Sequence, residues 1–384
     1  MKLKLVGSSL IIAGTALGAG MLAIPMVLAQ FGLIWATLLM LFIWLGTTYA
    51  ALLLLEASVK VGRGVSMSNV ARDTLGVGGQ LVTNILLYAL LVCLMMAYII
   101  GAGDLIQNIA TSCGLSLSKT TAQISFTFIT GLIVSCGTAV IDKFNRLLFI
   151  GMLLALLTTL AHLAPTLSLS SLTQVVSHDH LALVKTSSVL FTSFCFLVVI
   201  PSLATYNKEA SKSELRNMLL LGSVIPLICY LLWLYAVVGN LAPEQLLHFA
   251  NVSELITALS TQYKNLELIL SIFTALALLT SFLGVALALF DQNTDVMKST
   301  KIITFMMTFV LPLAGAILAP EQFLNTLSYA GIILVFLAIF IPMAMVLSVR
   351  QQTFSENNYQ AGGGMPAMFA LLMFGSLMLF VQYL

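Results

Sequence analysis

Charged side chains are the scarcest class in this sequence. Only 8% of its 384 residues are Asp, Glu, Lys or Arg, and 60% are hydrophobic, whereas a typical soluble domain carries roughly 25% charged residues. The 16 basic and 14 acidic residues leave a net charge of +2. So small a net charge excludes the basic field that gathers nucleic acid. The composition as a whole excludes a soluble globular fold.

Cysteine and the common catalytic motifs are also missing or sparse. Five dispersed cysteines are too few for a disulfide framework. The sequence contains neither a G-x-x-x-x-G-K-[ST] phosphate loop nor an H-E-x-x-H zinc helix. His178, Asp179 and His180 lack the further ligands of a metal site and are interpreted as a solvated turn. We therefore expect no enzyme, no metal and no cofactor.

A G-x-G-D tetrapeptide ends at Asp104, as in membrane aspartyl proteases. Such an enzyme needs a second aspartate facing the first inside the membrane, and every other aspartate of this chain falls between the apolar stretches. Asp104 is therefore interpreted as the C-terminal end of a helix at the outer membrane boundary.

Long apolar stretches dominate the remainder of the sequence. A stretch of about 18 apolar residues or more crosses the roughly 30 Å hydrocarbon core as a helix. None of these stretches contains Asp, Glu, Lys or Arg, and His162 is the only histidine within one. The sequence predicts an all-α integral membrane protein, a single transmembrane domain over 1–384. Its eleven predicted helices lie at 5–30, 33–55, 81–103, 121–140, 147–165, 187–206, 217–239, 268–290, 302–319, 327–348 and 366–384.

The basic residues predict the orientation of these helices. With the N-terminus placed in the cytoplasm and the sides alternating, 13 of the 16 Lys and Arg residues fall on the internal side. The external side keeps only Lys119, Lys185 and Lys264. This bias matches the positive-inside rule. The sequence therefore predicts a cytoplasmic N-terminus and an external C-terminus.

Two of the predicted helices carry matching interruptions. Residues 14–25 read GTALGAGMLAIP, with three glycines and Pro25 near the middle of the first span. Residues 191–202 in the sixth span read FTSFCFLVVIPS, and Pro201 lies 176 positions after Pro25. Irregular backbone at membrane depth is tolerated only where it is buried in protein or lines a cavity. Spans one and six are therefore predicted to be broken.

The relation between the two broken spans predicts an internal repeat. The second interrupted segment begins five spans after the first, so it enters the membrane from the opposite side. This arrangement is an inverted repeat of two five-helix halves, 5–165 and 187–348, followed by an extra helix at 366–384. Interrupted helices at corresponding positions in two halves are the best sequence pointer to a transporter's binding site.

The chemistry of such a site follows from its backbone. An opened helix exposes N–H groups that hold a carboxylate and carbonyl groups that accept from an ammonium or bind a cation. A zwitterionic amino acid supplies both charges on one carbon. Because the spans contain no charged side chain, we expect a small-molecule substrate, an amino acid held by backbone groups, with membrane lipid as the other partner.

The interrupted segments resemble a known family. Four parts of the sequence carry the resemblance: GTALGAGMLAIP, LLLLEAS with Glu56, FTSF and IPS in span six, and TSFLGV followed by LFD in span eight. They resemble the hydroxy and aromatic amino acid permeases, most closely their tyrosine and tryptophan permeases. The resemblance runs from about residue 5 to the C-terminus. It implies the five-plus-five, leucine-transporter-type fold of the amino acid/polyamine/organocation superfamily, working by alternating access in the bacterial inner membrane.

The same resemblance implies a substrate and its binding residues. It implies that a monomer imports an aromatic amino acid, most closely tyrosine, by proton symport. The implied site lies in the two broken spans and in span eight. The substrate carboxylate would be held by Gly18, Ala19 and Gly20, and its amino group by carbonyls near Thr15, Ala16 and Ser193. An aromatic ring would pack on Phe194 and Phe196. The coupling ion would be held by Thr280 and Ser281.

Span six departs from the pattern of the tyrosine permeases, which read FTSFGFHGSIPS. This chain has Cys195, Leu197, Val198 and Val199 at the differing positions. The histidine that could contact substrate or relay a proton is therefore absent. Sodium coupling and another neutral amino acid stay open as alternatives, and Glu56, Asp104 and His162 are boundary groups that could carry a proton. A channel or a membrane enzyme is favoured less, because neither a filter-like repeat nor a cluster of catalytic residues is evident.

Overall fold

The computed structural model describes residues 3–62, 66–135, 138–246, 248–249, 251–262, 266–297, 301–319, 322–351 and 359–383. Within these ranges the regular structure is entirely helical. Small parts of two predicted spans lie outside the described residues, namely residues 136–137 of the fourth span and Leu384 of the eleventh. The external residue Lys264 also lies outside them.

Six helices make up the first part of the chain. They are α1 (Leu3–Ala16), α2 (Gly20–Leu28), α3 (Gly32–Val61), α4 (Met67–Ser112), α5 (Lys119–Ser135) and α6 (Thr138–Leu163). Shorter helices follow and lead to one long helix. These are α7 (Leu169–Thr173), α8 (His180–Lys185), α9 (Ser187–Ser193), α10 (Ile200–Tyr206) and α11 (Lys212–Val238).

The last part of the chain again consists mainly of long helices. They are α12 (Pro243–Leu246), α13 (Val252–Gln262), α14 (Leu266–Met297), α15 (Lys301–Leu318), α16 (Phe323–Val335), α17 (Ile341–Gln351) and α18 (Gly364–Tyr383). A five-residue π-helical segment, Phe336–Phe340, joins α16 to α17.

Eight helical segments of the described chain are long and apolar enough to cross a membrane. Two shorter apolar helices, Lys4–Ala16 and Ile302–Leu318, accompany them. The prediction of a multi-pass, all-α membrane protein is therefore confirmed at this level. The count of eleven crossings stays a prediction.

Helix α4 contains both a connector and a predicted span. Gly76 has a positive φ of 75° inside this helix, which kinks its direction there. A residue with a side chain seldom adopts that conformation, so glycine permits the kink. The turns before Gly76 begin at Met67, and Ser66 caps the first of them by accepting from the Asn69 N–H.

The structure corrects the interpretation of Asp104 as a helix end. Helix α4 continues beyond it to Ser112, and the Asp104 side chain is only 7% exposed. Its carboxylate forms an ion pair with Lys119 at 2.5 Å, at the start of α5. The helix can continue through this buried charge because a partner from the next helix neutralises it.

The short segments between the long helices also have structural roles. Between α11 and α14 the chain forms α12 and α13, in which Leu246 and Ile256 are buried. In the His178-Asp179-His180 turn, the Asp179 carboxylate accepts from two N–H groups and caps α8, while the His180 ring contacts Trp35. The interpretation of these residues as a turn agrees with this geometry.

Candidate binding site at two helix breaks

The first helix break lies between α1 and α2, at Leu17, Gly18 and Ala19. The Leu17 N–H still donates to the Ala13 carbonyl at 2.8 Å. The next helix begins when the Met21 N–H donates to the Gly18 carbonyl at 3.1 Å. Within the described residues, the N–H group of Gly18 has no hydrogen-bond partner in the protein. This buried donor is available to a ligand.

The second helix break lies between α9 and α10. Residues Phe194–Phe196 leave the α-helical path, and a short 3-10 turn, Leu197–Val199, leads into α10. Cys195 and the two valines that distinguish this chain therefore do not restore a continuous helix. The break is present despite the altered sequence, and Pro201 falls in the first turn of α10, where a missing N–H costs little.

The two breaks are in direct contact. A Cβ atom built on Gly20 would lie 2.9 Å from Ser193 Oγ and 3.0 Å from Ser193 Cα. The second of these atoms belongs to the backbone and cannot rotate away. Glycine at position 20 is therefore required for the close approach of the first break to the end of α9.

Helix α14 reaches the first break through Ser281. The Ala19 N–H donates to Ser281 Oγ at 3.2 Å, and a Cβ atom on Gly18 would lie 1.9 Å from the same oxygen. The neighbouring Thr280 instead donates to the Ala277 carbonyl of its own helix at 3.3 Å. The structure thus brings only Ser281 of the predicted pair into hydrogen-bond contact with the break.

Two buried tyrosines that the sequence did not single out complete the site. The Tyr230 hydroxyl of α11 lies 2.6 Å from the Ala16 carbonyl oxygen and 2.7 Å from that of Ser193. Tyr98 of α4 is 7% exposed and interacts with Ser281. A tyrosine in a charge-free span needs a hydroxyl partner. That requirement could have marked these two tyrosines in the sequence as residues with a buried hydrogen-bond partner, but it does not identify the partner.

The predicted side-chain contacts are placed differently. Thr15 is exposed and its hydroxyl donates to the Ile11 carbonyl of the preceding turn. Phe194 and Phe196 are fully buried, and the Phe194 ring packs edge-on against Tyr230 with centroids 5.1 Å apart. In this structure both phenylalanine rings are therefore covered by protein.

The chemistry of the two breaks is that of neutral donors and acceptors. The contacting groups are backbone amides, backbone carbonyls and the hydroxyls of Ser193, Ser281, Tyr98 and Tyr230. Helix α1 ends at one break and α2 begins there, so the carbonyl ends and the N–H ends of helix dipoles lie close together. Such an arrangement suits a small molecule that carries one positive and one negative charge.

A charged cluster lies at one end of α3, which we call the Glu56 cluster. Glu56 is fully buried and its carboxylate accepts from Arg350 at 2.9 and 2.8 Å. Lys60 Nζ and the Ala361 N–H lie 3.2 and 2.9 Å from the same carboxylate. Burial raises the pKa of the nearby Tyr359 phenol to about 12, so this group is neutral at physiological pH. The cluster joins α3, α17 and the segment that precedes α18.

The other boundary groups considered as proton carriers also have partners. Asp104 is paired with Lys119. His162 is exposed, and its Nδ1 lies 2.8 Å from the Thr158 carbonyl oxygen of its own helix. Neither group contacts the two breaks through these interactions.

At the Glu56 end, a cleft of about 540 Å³ lies beside the half-helix that follows the second break, lined by Ser58, Thr205, Lys208 and Lys212 among others.

Comparisons with known proteins find similarity along the whole chain. Residues 1–382 match the model of the tryptophan/tyrosine permease family. The chain is 56% identical to glutamine transporter 2 of Aliivibrio fischeri, with all of both chains covered. It is 31% identical to tyrosine-specific transport system 2 of Haemophilus influenzae, covering 100% of this chain and 97% of that one. It is 30% identical to a tryptophan-specific transport protein of Pseudomonas aeruginosa, covering 97% and 92%.

Proposed function

The chain belongs to the tryptophan/tyrosine permease family, and from this premise we propose that it is a secondary active transporter that imports a neutral amino acid by alternating access. The observation that carries the proposal is the contact between two helix breaks that present neutral donors and acceptors. A zwitterion can be held there by backbone groups without a charged side chain.

The proposed architecture is eleven transmembrane helices in a five-plus-five inverted repeat with an additional C-terminal helix. The breaks between α1 and α2 and between α9 and α10 support two halves that are interrupted at corresponding positions. Together with the distribution of 13 internal and 3 external basic residues, this supports a cytoplasmic N-terminus and an external C-terminus in the bacterial inner membrane.

Glutamine is the first candidate substrate. The relative with 56% identity over its full length is named a glutamine transporter, and a neutral amide side chain suits a site without charge. Tyrosine, which the sequence motifs indicate, is the second candidate. It is supported by the family and by the tyrosine-specific relative. The burial of Phe194 and Phe196 within the protein favours glutamine over a substrate that needs an open aromatic surface.

Proton coupling is the proposed energy source, as the family resemblance implies. A sodium ion is the alternative, because Ser281 Oγ lies beside opened backbone at the first break. The groups that could carry a proton near the ends of the helices are Glu56, Asp104 and His162, which contact Arg350, Lys119 and the Thr158 carbonyl respectively.

The substrate assignment is tested by counterflow. The purified protein is reconstituted into liposomes loaded with unlabelled glutamine, tyrosine or no amino acid, and entry of the radiolabelled amino acid is followed. We expect saturable glutamine entry that is stimulated by internal glutamine and absent from protein-free liposomes. Faster exchange of tyrosine would reverse the order of the candidates. Entry that does not saturate and ignores the internal amino acid would indicate a channel and contradict the proposal.

The coupling ion is tested in the same liposomes with imposed gradients. We expect an inward proton gradient to drive accumulation in the absence of sodium, and a protonophore to abolish it. Accumulation that survives the protonophore but disappears without sodium would replace the proton by sodium.

A further inference from the structure

A cleft of about 540 Å³ lies at the Glu56 end of the molecule. It is formed where α3 ends, where α10 ends and where α11 begins, and Ser58, Thr205 and Ser213 belong to these three parts of its lining. Its volume falls within the range of small-molecule sites, about 300–1,000 Å³. Ser281 and Tyr230, which bond at the two helix breaks, are not among the described residues that line it. The proposed amino acid site therefore does not account for this cleft.

The charged side chains of the cleft are both basic. Lys208 and Lys212 line it, and its described lining contains neither aspartate nor glutamate. Within the part of the chain that the structure describes, neither ammonium group has an ion-pair or hydrogen-bond partner. By contrast, Lys60 at the same end is engaged, with its Nζ 3.2 Å from the Glu56 carboxylate. The two cations of the cleft are therefore available to an anion from outside the protein.

The first turn of α11 adds backbone donors to the two ammonium groups. Helix α11 begins at Lys212, and in its capping box Ser211 Oγ accepts from the Glu214 N–H while the Glu214 carboxylate accepts from the Ser211 N–H. The N–H groups of Lys212 and Ser213 have no carbonyl partner within the helix at these positions. Both residues line the cleft. N–H groups at the positive end of a helix, beside two ammonium groups, favour an anion with several acceptor oxygens, such as a phosphate.

The location of the cleft indicates the source of such a phosphate. The cleft lies at the ends of two segments that are apolar enough to cross a membrane, Gly20–Val61 and Lys212–Val238. Tyr206 in the last turn of α10 is 59% exposed, and exposed aromatic residues of this kind are typical of the membrane–water interface. Farther along α11, Leu221 and Ile228 are 42% and 51% exposed and present apolar surface to acyl chains. A phosphate in the cleft would therefore lie at the level of lipid headgroups.

We propose that this cleft binds the headgroup phosphate of an anionic phospholipid, with the ammonium groups of Lys208 and Lys212 and the N–H groups of Lys212 and Ser213 as donors. This end is the cytoplasmic one in the proposed orientation, and basic pockets between transmembrane helices on that side bind anionic headgroups. A net negative headgroup is needed, because a zwitterionic one brings its own cation to compete with the lysines. The inference goes beyond amino acid transport and holds for any transported substrate.

The test measures lipid binding to the purified full chain by native mass spectrometry. Wild type is titrated with phosphatidylglycerol and with phosphatidylcholine of the same acyl chains, and it is expected to bind phosphatidylglycerol at least roughly tenfold more tightly. The double variant Lys208→Gln/Lys212→Gln is expected to bind phosphatidylglycerol roughly thirtyfold more weakly than wild type, because each lysine near an anionic lipid contributes about fivefold.

Three further variants separate the position of the charge from its mere presence. Lys212→Gln alone is expected to weaken binding of phosphatidylglycerol about fivefold. Its matched control Lys185→Gln removes a lysine on the predicted external side and is expected to leave binding unchanged. Lys208→Arg/Lys212→Arg keeps both charges and is expected to bind at least as tightly as wild type. Because Lys208 and Lys212 are exposed, we expect all variants to keep the wild-type thermal unfolding midpoint in lipid-free detergent.

Inorganic phosphate distinguishes a lipid site from a site for a free anion. At equal concentration it is expected to displace little phosphatidylglycerol, because it has no acyl chains. Binding of inorganic phosphate as tight as that of the lipid, and lost in the double Gln variant, would overturn the lipid proposal. Equal affinity of wild type for the two lipids would also overturn it, as would wild-type affinity in the double Gln variant. None of these measurements depends on transport, so failure of the lipid proposal and failure of the proposed function are distinguishable.

Discussion

The two helix breaks and the Glu56 cluster treat buried polar groups in opposite ways. In the Glu56 cluster, one buried carboxylate receives hydrogen bonds from Arg350, Lys60 and the Ala361 N–H. At the breaks, charge is absent, the N–H group of Gly18 has no protein partner among the described residues, and one tyrosine hydroxyl is shared by two carbonyls.

This difference separates a structural interaction from a binding site. A carboxylate whose partners are all supplied by the protein stabilises one arrangement of helices and has little to offer a ligand. Backbone groups that are left partly unsatisfied lower stability, but a ligand with matching donors and acceptors recovers that energy. We therefore expect substitutions in the Glu56 cluster to act mainly on stability, and substitutions at the breaks to act mainly on substrate binding.

The largest effect on stability is expected from Glu56→Ala. Removing the carboxylate leaves Arg350 without its bidentate partner in a largely buried position, and breaking a buried ion pair costs about 3–5 kcal/mol. The measurement is the thermal unfolding midpoint in detergent. Glu267→Ala, at an exposed position in the first turn of α14, is the control. A shift no larger than that of the control would contradict the structural role of the cluster.

The next largest effect is expected from Gly20→Ala, and it should appear in binding. The new methyl group would lie 3.0 Å from Ser193 Cα, so the two breaks must separate at a cost of about 1–3 kcal/mol. Substrate affinity is measured by radioligand binding. Gly7→Ala in α1 is the control, since a Cβ there meets no atom within 4 Å. Equal affinity in the two variants would show that contact between the breaks does not shape the site.

A smaller effect is expected from Ser281→Ala. The substitution removes the acceptor of the Ala19 N–H and costs about 1–2 kcal/mol. Thr280→Val is the matched comparison, because the Thr280 hydroxyl donates to the Ala277 carbonyl of its own helix and lies 3.9 Å from Met152 Sδ of α6, and neither partner belongs to the break. Affinity and its dependence on proton and sodium concentrations are measured for both. If Thr280→Val has the greater effect, the coupling ion lies closer to Thr280 than this hydrogen bonding indicates.

The smallest effect is expected from Lys60→Met. Glu56 keeps Arg350 and the Ala361 N–H when Lys60 is replaced, and an ion pair between residues four apart on a helix contributes less than about 1 kcal/mol. Thermal unfolding at low and high salt is the measurement. Destabilisation approaching that of Glu56→Ala would mean that Lys60, and not Arg350, is the main partner of the carboxylate.

The parts of the site that depend on local sequence were predictable. Glycine and proline limit helix formation wherever they occur, so residues 14–25 indicated the first break, and Pro201 with its similar surroundings indicated the second. The residues at Cys195 and after it differ from the tyrosine permease pattern, yet the backbone still opens at Phe194. Local propensity alone could not decide that point.

The partners that fill the breaks were not predictable from local sequence. Tyr230 and Ala16 are 214 residues apart, and Arg350 and Glu56 are 294 residues apart. The apolar pattern of a span shows that it is a helix, but a span that is apolar on all sides does not show which face meets which neighbour. For the same reason Thr280 and Ser281 looked equivalent, although only Ser281 contacts the first break.

The sequence by itself determined the membrane environment, the scarcity of charge within the spans, and the two positions at which the backbone opens. These are properties of composition and of local backbone preference, which act residue by residue. Only the tertiary structure decided that the two openings touch at Gly20 and Ser193, that Tyr230 is shared between them, and that the charge of Glu56 is neutralised within the protein. Such contacts depend on helix packing between distant segments, because hydrogen bonds require a particular atom of one helix to lie within about 3 Å of another.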